Sequence, residues 1–218
     1  FFGSPFKAIL KDKGLMSPIV ENLTDNIWID YATSVEVDHW IDFFTKSCSF
    51  LLLIGAFTAL CWEKIKADRF KRSIICIGIG ILVFLGLSTA KQKDYAILQI
   101  FELFIQISIP VALLLVKQID ETHLSKIKLI LKVAISATFM AHGLFALGII
   151  YYPVNFVDMT TGIIGFTENQ AKVFLTTAGI LDIIAAALIY FPKTTKIALS
   201  YALIWGLVTA LARVVHGF

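Results

Sequence analysis

Residues 72–90 read RSIICIGIGILVFLGLSTA, and this stretch decides the class of fold. After Arg72 it carries no charge and no proline. At about 1.5 Å per residue a helix of this length covers roughly 28 Å, the depth of a bilayer's hydrocarbon core. Working outward, five more runs of similar character occupy 39–62, 95–116, 127–151, 169–191 and 195–216. They are too long and too uniformly apolar for the roughly 10-residue alternating strands of a membrane barrel. The helix breakers Pro153, Gly162 and Pro192 fall between runs, whereas Pro110 lies inside the third and predicts a kink there. The expected fold is therefore all-α, a polytopic membrane helical bundle of six spans.

Composition agrees. Of 218 residues, 58% are hydrophobic and 16% charged, with a mean hydropathy of +0.82. Water-soluble domains carry about 25% charged residues. Too few charges remain to cover a globule in water, which excludes a soluble enzyme, a disordered tail and a nucleic-acid binder despite a net charge of +3. Cys48, Cys61 and Cys76 form no C-x-x-C pattern, which excludes a disulfide scaffold, a zinc module and covalent c-type haem. They read as small apolar residues.

Basic residues cluster on the side reached after the first span: Lys64, Lys66, Arg69, Lys71, Arg72, Lys117, Lys126, Lys128, Lys132, Lys193 and Lys196. The positive-inside rule then makes loops 63–71, 117–126 and 192–196 cytoplasmic and the 1–38 segment and 152–168 loop extracytoplasmic. Trp28, Trp40, Tyr151 and Tyr152 would belt the outer interface, Trp62 and Tyr190 the inner one. Within 1–38, Ser4 and Pro5 open a short interfacial helix ending near Leu10, Pro18 stops whatever follows, and the segment is expected to cap the outer surface. Residue 1 is not Met, and neither a signal peptide nor a polar tail is apparent, so a longer polypeptide with a helix before residue 1 is expected.

Aligning the basic turns EKIKADRFKR and FPKTTK gives a weak internal repeat resting on spacing. The first half becomes a four-helix unit lacking its first helix, and the second the same unit lacking its fourth. The organisation expected is a cap (1–38), a three-span unit (39–116) and a second three-span unit (127–218).

Polar groups inside spans are the functional candidates. Gln99, Glu102 and Gln106, with Tyr95, fall on one helix face at steps of three and four. They would line a proton path, a quinone head group or a polar substrate, or else join helices by hydrogen bonds. Asp182, with Gly179 and Ala186 on its face, needs a proton or a cation, and Arg213 is the available cation, though at another depth. Arg213 would otherwise snorkel to the outer interface. His142 could act as a hydrogen-bond donor or as a ligand of haem or quinone. A bis-histidine haem would need His216 as well, yet His142 lies about 12–15 Å below it, which argues against haem. Counted from the outer ends, these residues suggest a pocket in the outer half of the bilayer rather than a pore. No metal site and no complete catalytic constellation is seen.

At His142, Asp182 and His216 the second half resembles the DoxX-like superfamily, small four-helix bacterial membrane proteins that include thiosulfate:quinone oxidoreductase subunits. The matching features are the pair His142-Gly143, the Gly179-x-x-Asp182 element and His216 at the outer end of the last helix. The family usually has a Lys shortly after the His-Gly pair and a Glu at the acidic position; here Phe145, Ala146 and Asp182 stand there. The resemblance implies an accessory or scaffold subunit of a larger envelope complex in the bacterial inner membrane, with the lipid bilayer and other membrane proteins, or repeats of the same chain, as partners. Two alternatives remain open: a quinone-linked oxidoreductase subunit with Glu102, His142, Asp182 and Arg213 handling protons in a polar pocket that also takes in Gln99, Gln106 and His216, and a small-solute transporter.

Overall fold

The computed structural model describes residues 3–24, 27–94, 96–116, 121–149 and 153–216. They form helices and no strand. Five helices are long and apolar enough to cross a membrane: α4 (Val35–Leu60), α5 (Asp68–Gln92), α8 (Glu121–Ala146), α10 (Glu168–Leu188) and α11 (Thr195–His216). Shorter ones are α1 (Gly3–Leu10), α2 (Lys13–Leu23), α3 (Trp28–Thr33), α6 (Leu98–Glu102), α7 (Phe104–Leu115) and α9 (Val154–Ile164). The protein is a polytopic helical membrane protein. Its chain divides into two compact units, Phe1–Ile119 and Asp120–Phe218.

In the first unit α1 does not lie over the surface. Phe6 is fully buried, its ring 5.7 Å from Phe44 of α4 and 5.1 Å from Phe84 of α5, with Cys48 and Leu85 in the same cluster. The rim of this plug is charged: Asp38 receives Lys7 at 2.8 Å and Lys11 at 2.7 Å, and Asp12 receives Lys91 at 2.8 Å. Lys91 and the Leu15 amide hold the Asp12 carboxyl below the usual carboxylate range. Pro18, expected to stop a helix, lies inside α2. The bond it forfeits would have used the carbonyl of Gly14, which is exposed and open to water. Trp28, expected in an interfacial belt, is buried against Tyr31.

The third apolar run is not one helix. It breaks at Leu103, between α6 and α7, while Pro110 is carried inside α7. The cause is a tightened ladder: Gln99 N–Ala96 O, Ile100 N–Ile97 O and Leu103 N–Ile100 O are i to i−3 bonds. Together α6 and α7 still reach roughly 27 Å. On the basic side, Lys71 donates to the Trp62 and Ile65 carbonyls and lies 4.6 Å over the Trp62 ring. Arg72 donates to Leu114 O near the C-terminus of α7, where helix carbonyls lack intrahelical partners.

The second unit is built around α10, which packs against α8, α9 and α11. A capping box opens α10, with Thr167 and Gln170 satisfying each other's amides. The turn into α11 is sealed by threonines: Thr194 Oγ1 donates to Leu188 O at 2.8 Å and Thr195 Oγ1 to Ile189 O at 3.0 Å. The region expected as an open outer loop, 152–168, instead contains α9, closed by Gly165 in the left-handed conformation (φ 77°).

Candidate functional site

The sequence-predicted site residues fall in both units. Gln99, Glu102 and Gln106 belong to the first; His142, Asp182, Arg213 and His216 belong to the second. Tyr95 lies outside the described residues, as do Lys117, Tyr151 and Tyr152.

In the first unit the polar stripe is not a single face. Gln99 is buried, Glu102 half-buried and Gln106 exposed. The break at Leu103 turns α7 out of register with α6, which separates residues that an unbroken helix would align. Gln106, with its amide nitrogen toward the break, donates to Glu102 O and Leu103 O at 3.1 Å each. It thus ties the carbonyls at the break, adding to the Ile107 amide that already donates to Leu103 O, a structural role.

In the second unit the motif residues do meet. Gly143 of α8 and Gly179 of α10 bring two backbones into contact. A Cβ at Gly143 would stand 2.8 Å from Gly179 O and 2.7 Å from Ile183 Cγ1, and a Cβ at Gly179 would stand 2.8 Å from Gly143 O. Only glycine fits either position. Two turns further along both helices, Ser136 Oγ donates across the same crossing to Ala186 O at 2.9 Å. The small residues Ala178, Ala185 and Ala186 continue the buried face of α10. In a membrane, helix association depends on this kind of close packing, because lipid is as apolar as the side chains it would replace.

Asp182 is 3% exposed and lies beside that crossing, its Cβ 3.4 Å from where a Gly143 Cβ would be. Its partner is not Arg213. Tyr201 of α11 donates its hydroxyl to Asp182 Oδ1 at 2.7 Å, and the Trp205 indole N–H, one turn on, reaches toward the same carboxyl. Tyr201 also packs its ring 6.1 Å from Phe139 of α8, so three helices converge here. Sequence reasoning missed Tyr201 and Trp205, although a signal was present. Asp182 lies as far before the end of α10, Leu188, as Tyr201 lies after the start of α11, Thr195, so a tight turn puts them level. Asp182 also sits in the half of α10 nearer Leu188, rather than in the half nearer Glu168, where the outer pocket was expected.

His142, Arg213 and His216 gather instead around α9. The His142 ring stacks on Phe156 of α9 at 6.2 Å and 19°, and it lies within the electrostatic reach of Arg213. The His216 imidazole is pressed against Gly162 of α9, where a Cβ would come within 2.7 Å of Nε2. Among the described residues, no group of three or more His, Cys, Asp or Glu could hold a metal ion. Cys48, Cys61 and Cys76 are free.

The chain matches no family model, no curated protein and no solved structure.

Proposed function

We propose that the chain is an accessory or scaffold subunit of a larger envelope complex, DoxX-like in its second unit, in a bacterial inner membrane with its basic loops in the cytoplasm. One observation carries this reading. The motif residues Gly143, Gly179 and Asp182 are engaged in holding three helices together, through backbone contact and the Tyr201 hydrogen bond. A group committed to packing and already hydrogen-bonded in apolar surroundings serves assembly better than turnover. Exposed apolar side chains such as Phe50, Phe57, Leu203 and Ile204 suit lipid or neighbouring membrane helices.

The reading is tested by purifying the full chain in mild detergent, with mass spectrometry of copurifying proteins and an optical redox spectrum. Stoichiometric membrane partners without a chromophore are expected. A retained quinone whose reduction is lost in His142→Ala would overturn the assignment in favour of a quinone-linked oxidoreductase subunit.

A further inference from the structure

On the basic side the turn 61–67 joins α4 to α5, and residues 62–72 hold five bases, Lys64, Lys66, Arg69, Lys71 and Arg72, against two acids, Glu63 and Asp68. The structure divides these charges into two sets. Lys71 and Arg72 are used within the fold. Both pair with Asp68, at 3.3 and 3.2 Å, while Lys71 also ties the Trp62 and Ile65 carbonyls and Arg72 reaches Leu114 O. Lys64, Lys66 and Arg69 are exposed and make no ion pair among the described residues. Glu63, also exposed, is the one acid of the turn left beside them. The next connection on this side sets Lys117, Lys126 and Lys128 against Asp120 and Glu121, three bases to two acids, so it has no surplus of negative charge to lend.

We propose that Lys64, Lys66 and Arg69 form a contact site for the phosphate headgroup of an anionic phospholipid. Like charges this close in the chain repel one another, and an anion brought between them relieves that repulsion. The lysines supply point charges, and the Arg69 guanidinium matches phosphate oxygens in a bidentate manner. The turn that carries them is fixed, because Lys71 ties two of its carbonyls and lies 4.6 Å over the Trp62 ring. The lipid source follows from the helix ends on either side. Leu60, the last residue of α4, is 82% exposed and Phe70, in the first turn of α5, is 60% exposed, so acyl chains meet apolar side chains beside the turn. A soluble anion would use the cations alone; a phospholipid uses both. Headgroup attraction near a membrane surface is worth about 1 kcal/mol per Lys or Arg, or about fivefold in affinity for each.

The test is native mass spectrometry of the full chain in neutral detergent, titrated with phosphatidylglycerol or phosphatidylcholine. The unaltered protein is compared with Arg69→Gln, with Lys64→Gln, Lys66→Gln and Arg69→Gln combined, and with Lys13→Gln, an exposed lysine next to Asp12 and its partner Lys91 at the other end of α5. Phosphatidylglycerol should be retained over phosphatidylcholine, about fivefold less in Arg69→Gln, about a hundredfold less in the triple variant and unchanged in Lys13→Gln. Equal phosphatidylglycerol retention by the unaltered chain and the triple variant, at unchanged helix content, would overturn the proposal. An equal loss in Lys13→Gln and Arg69→Gln would assign the effect to net charge and overturn it as well. In a parallel arm, inorganic phosphate is followed by phosphorus NMR. Saturable phosphate binding that the triple variant loses, without a phosphatidylglycerol preference, would assign the cations to soluble phosphate and overturn the lipid site. If the triple variant fails to fold, Arg69→Gln against Lys13→Gln provides the same comparison.

Discussion

In the first unit the polar ties stand at the ends of helices, where water can reach them: Lys7 and Lys11 on Asp38, Lys91 on Asp12, Lys71 on the carbonyls of the basic turn. In the second unit they stand within the spans: glycine backbone against glycine backbone, Ser136 on a carbonyl, Tyr201 on Asp182. The two turns aligned by the repeat differ in the same way. Lysine seals one and threonines seal the other. Near water, ion pairs form readily but are weak and screened by salt. Deep in the bilayer a charge is expensive, so cohesion there depends on van der Waals contact and short-range hydrogen bonds.

The contrast can be broken by mutation. The largest effect is expected from Phe6→Ala, which empties the plug among Phe44, Phe84 and Leu85 and should cost about 3 kcal/mol or more in detergent unfolding. Hydrogen exchange should then rise in the first unit and remain unchanged in the second. Next comes Gly179→Ala, whose methyl would lie 2.8 Å from Gly143 O; overpacking of this kind costs about 1–3 kcal/mol. Its control is Gly55→Ala, where a Cβ meets nothing within 4 Å, expected to shift stability by less than about 0.5 kcal/mol. Equal melting of the two alanine variants would refute the crossing.

Smaller still is Tyr201→Phe, which removes one intramembrane hydrogen bond and should cost about 0.6–1.7 kcal/mol. Asp182→Asn keeps an acceptor for that hydroxyl and should cost less. The smallest effect concerns the charged rim. Because Lys91 lowers the folded-state pKa of Asp12, the contribution of that pair is fully present above the unfolded value near 3.8 and is lost as pH falls through the lower folded one. Protease sensitivity of residues 3–24 should therefore rise below about pH 4, and also in high salt at neutral pH. Residues 173–181, beyond the exposed Glu168–Lys172 pair at the start of α10, should show neither response.

Much of this could be read in the chain before any coordinates. Five of the six apolar runs are continuous helices, four of them within about four residues of their expected limits and α8 shifted by about six toward the N-terminus, because hydropathy over about 20 residues is a signal each segment carries alone. Asp182 and the glycines Gly143 and Gly179 could be singled out because acids and paired small residues are conspicuous in apolar helices. Their roles could not. The partner of Asp182 depends on which residues of α11 lie level with it. The split at Leu103 depends on a shift to i−3 bonding that no residue there announces, while the conspicuous Pro110 is absorbed within α7.

The sequence by itself determined that the protein is helical and lives in a membrane, since each run satisfies its own backbone hydrogen bonds and needs only lipid around it. The tertiary structure decided that α1 inserts as a plug, that α9 replaces a loop, and that Tyr201, rather than Arg213, meets Asp182. Those outcomes are set by the depth and rotation of one helix against another, which are properties of pairs of segments and are written in neither one alone.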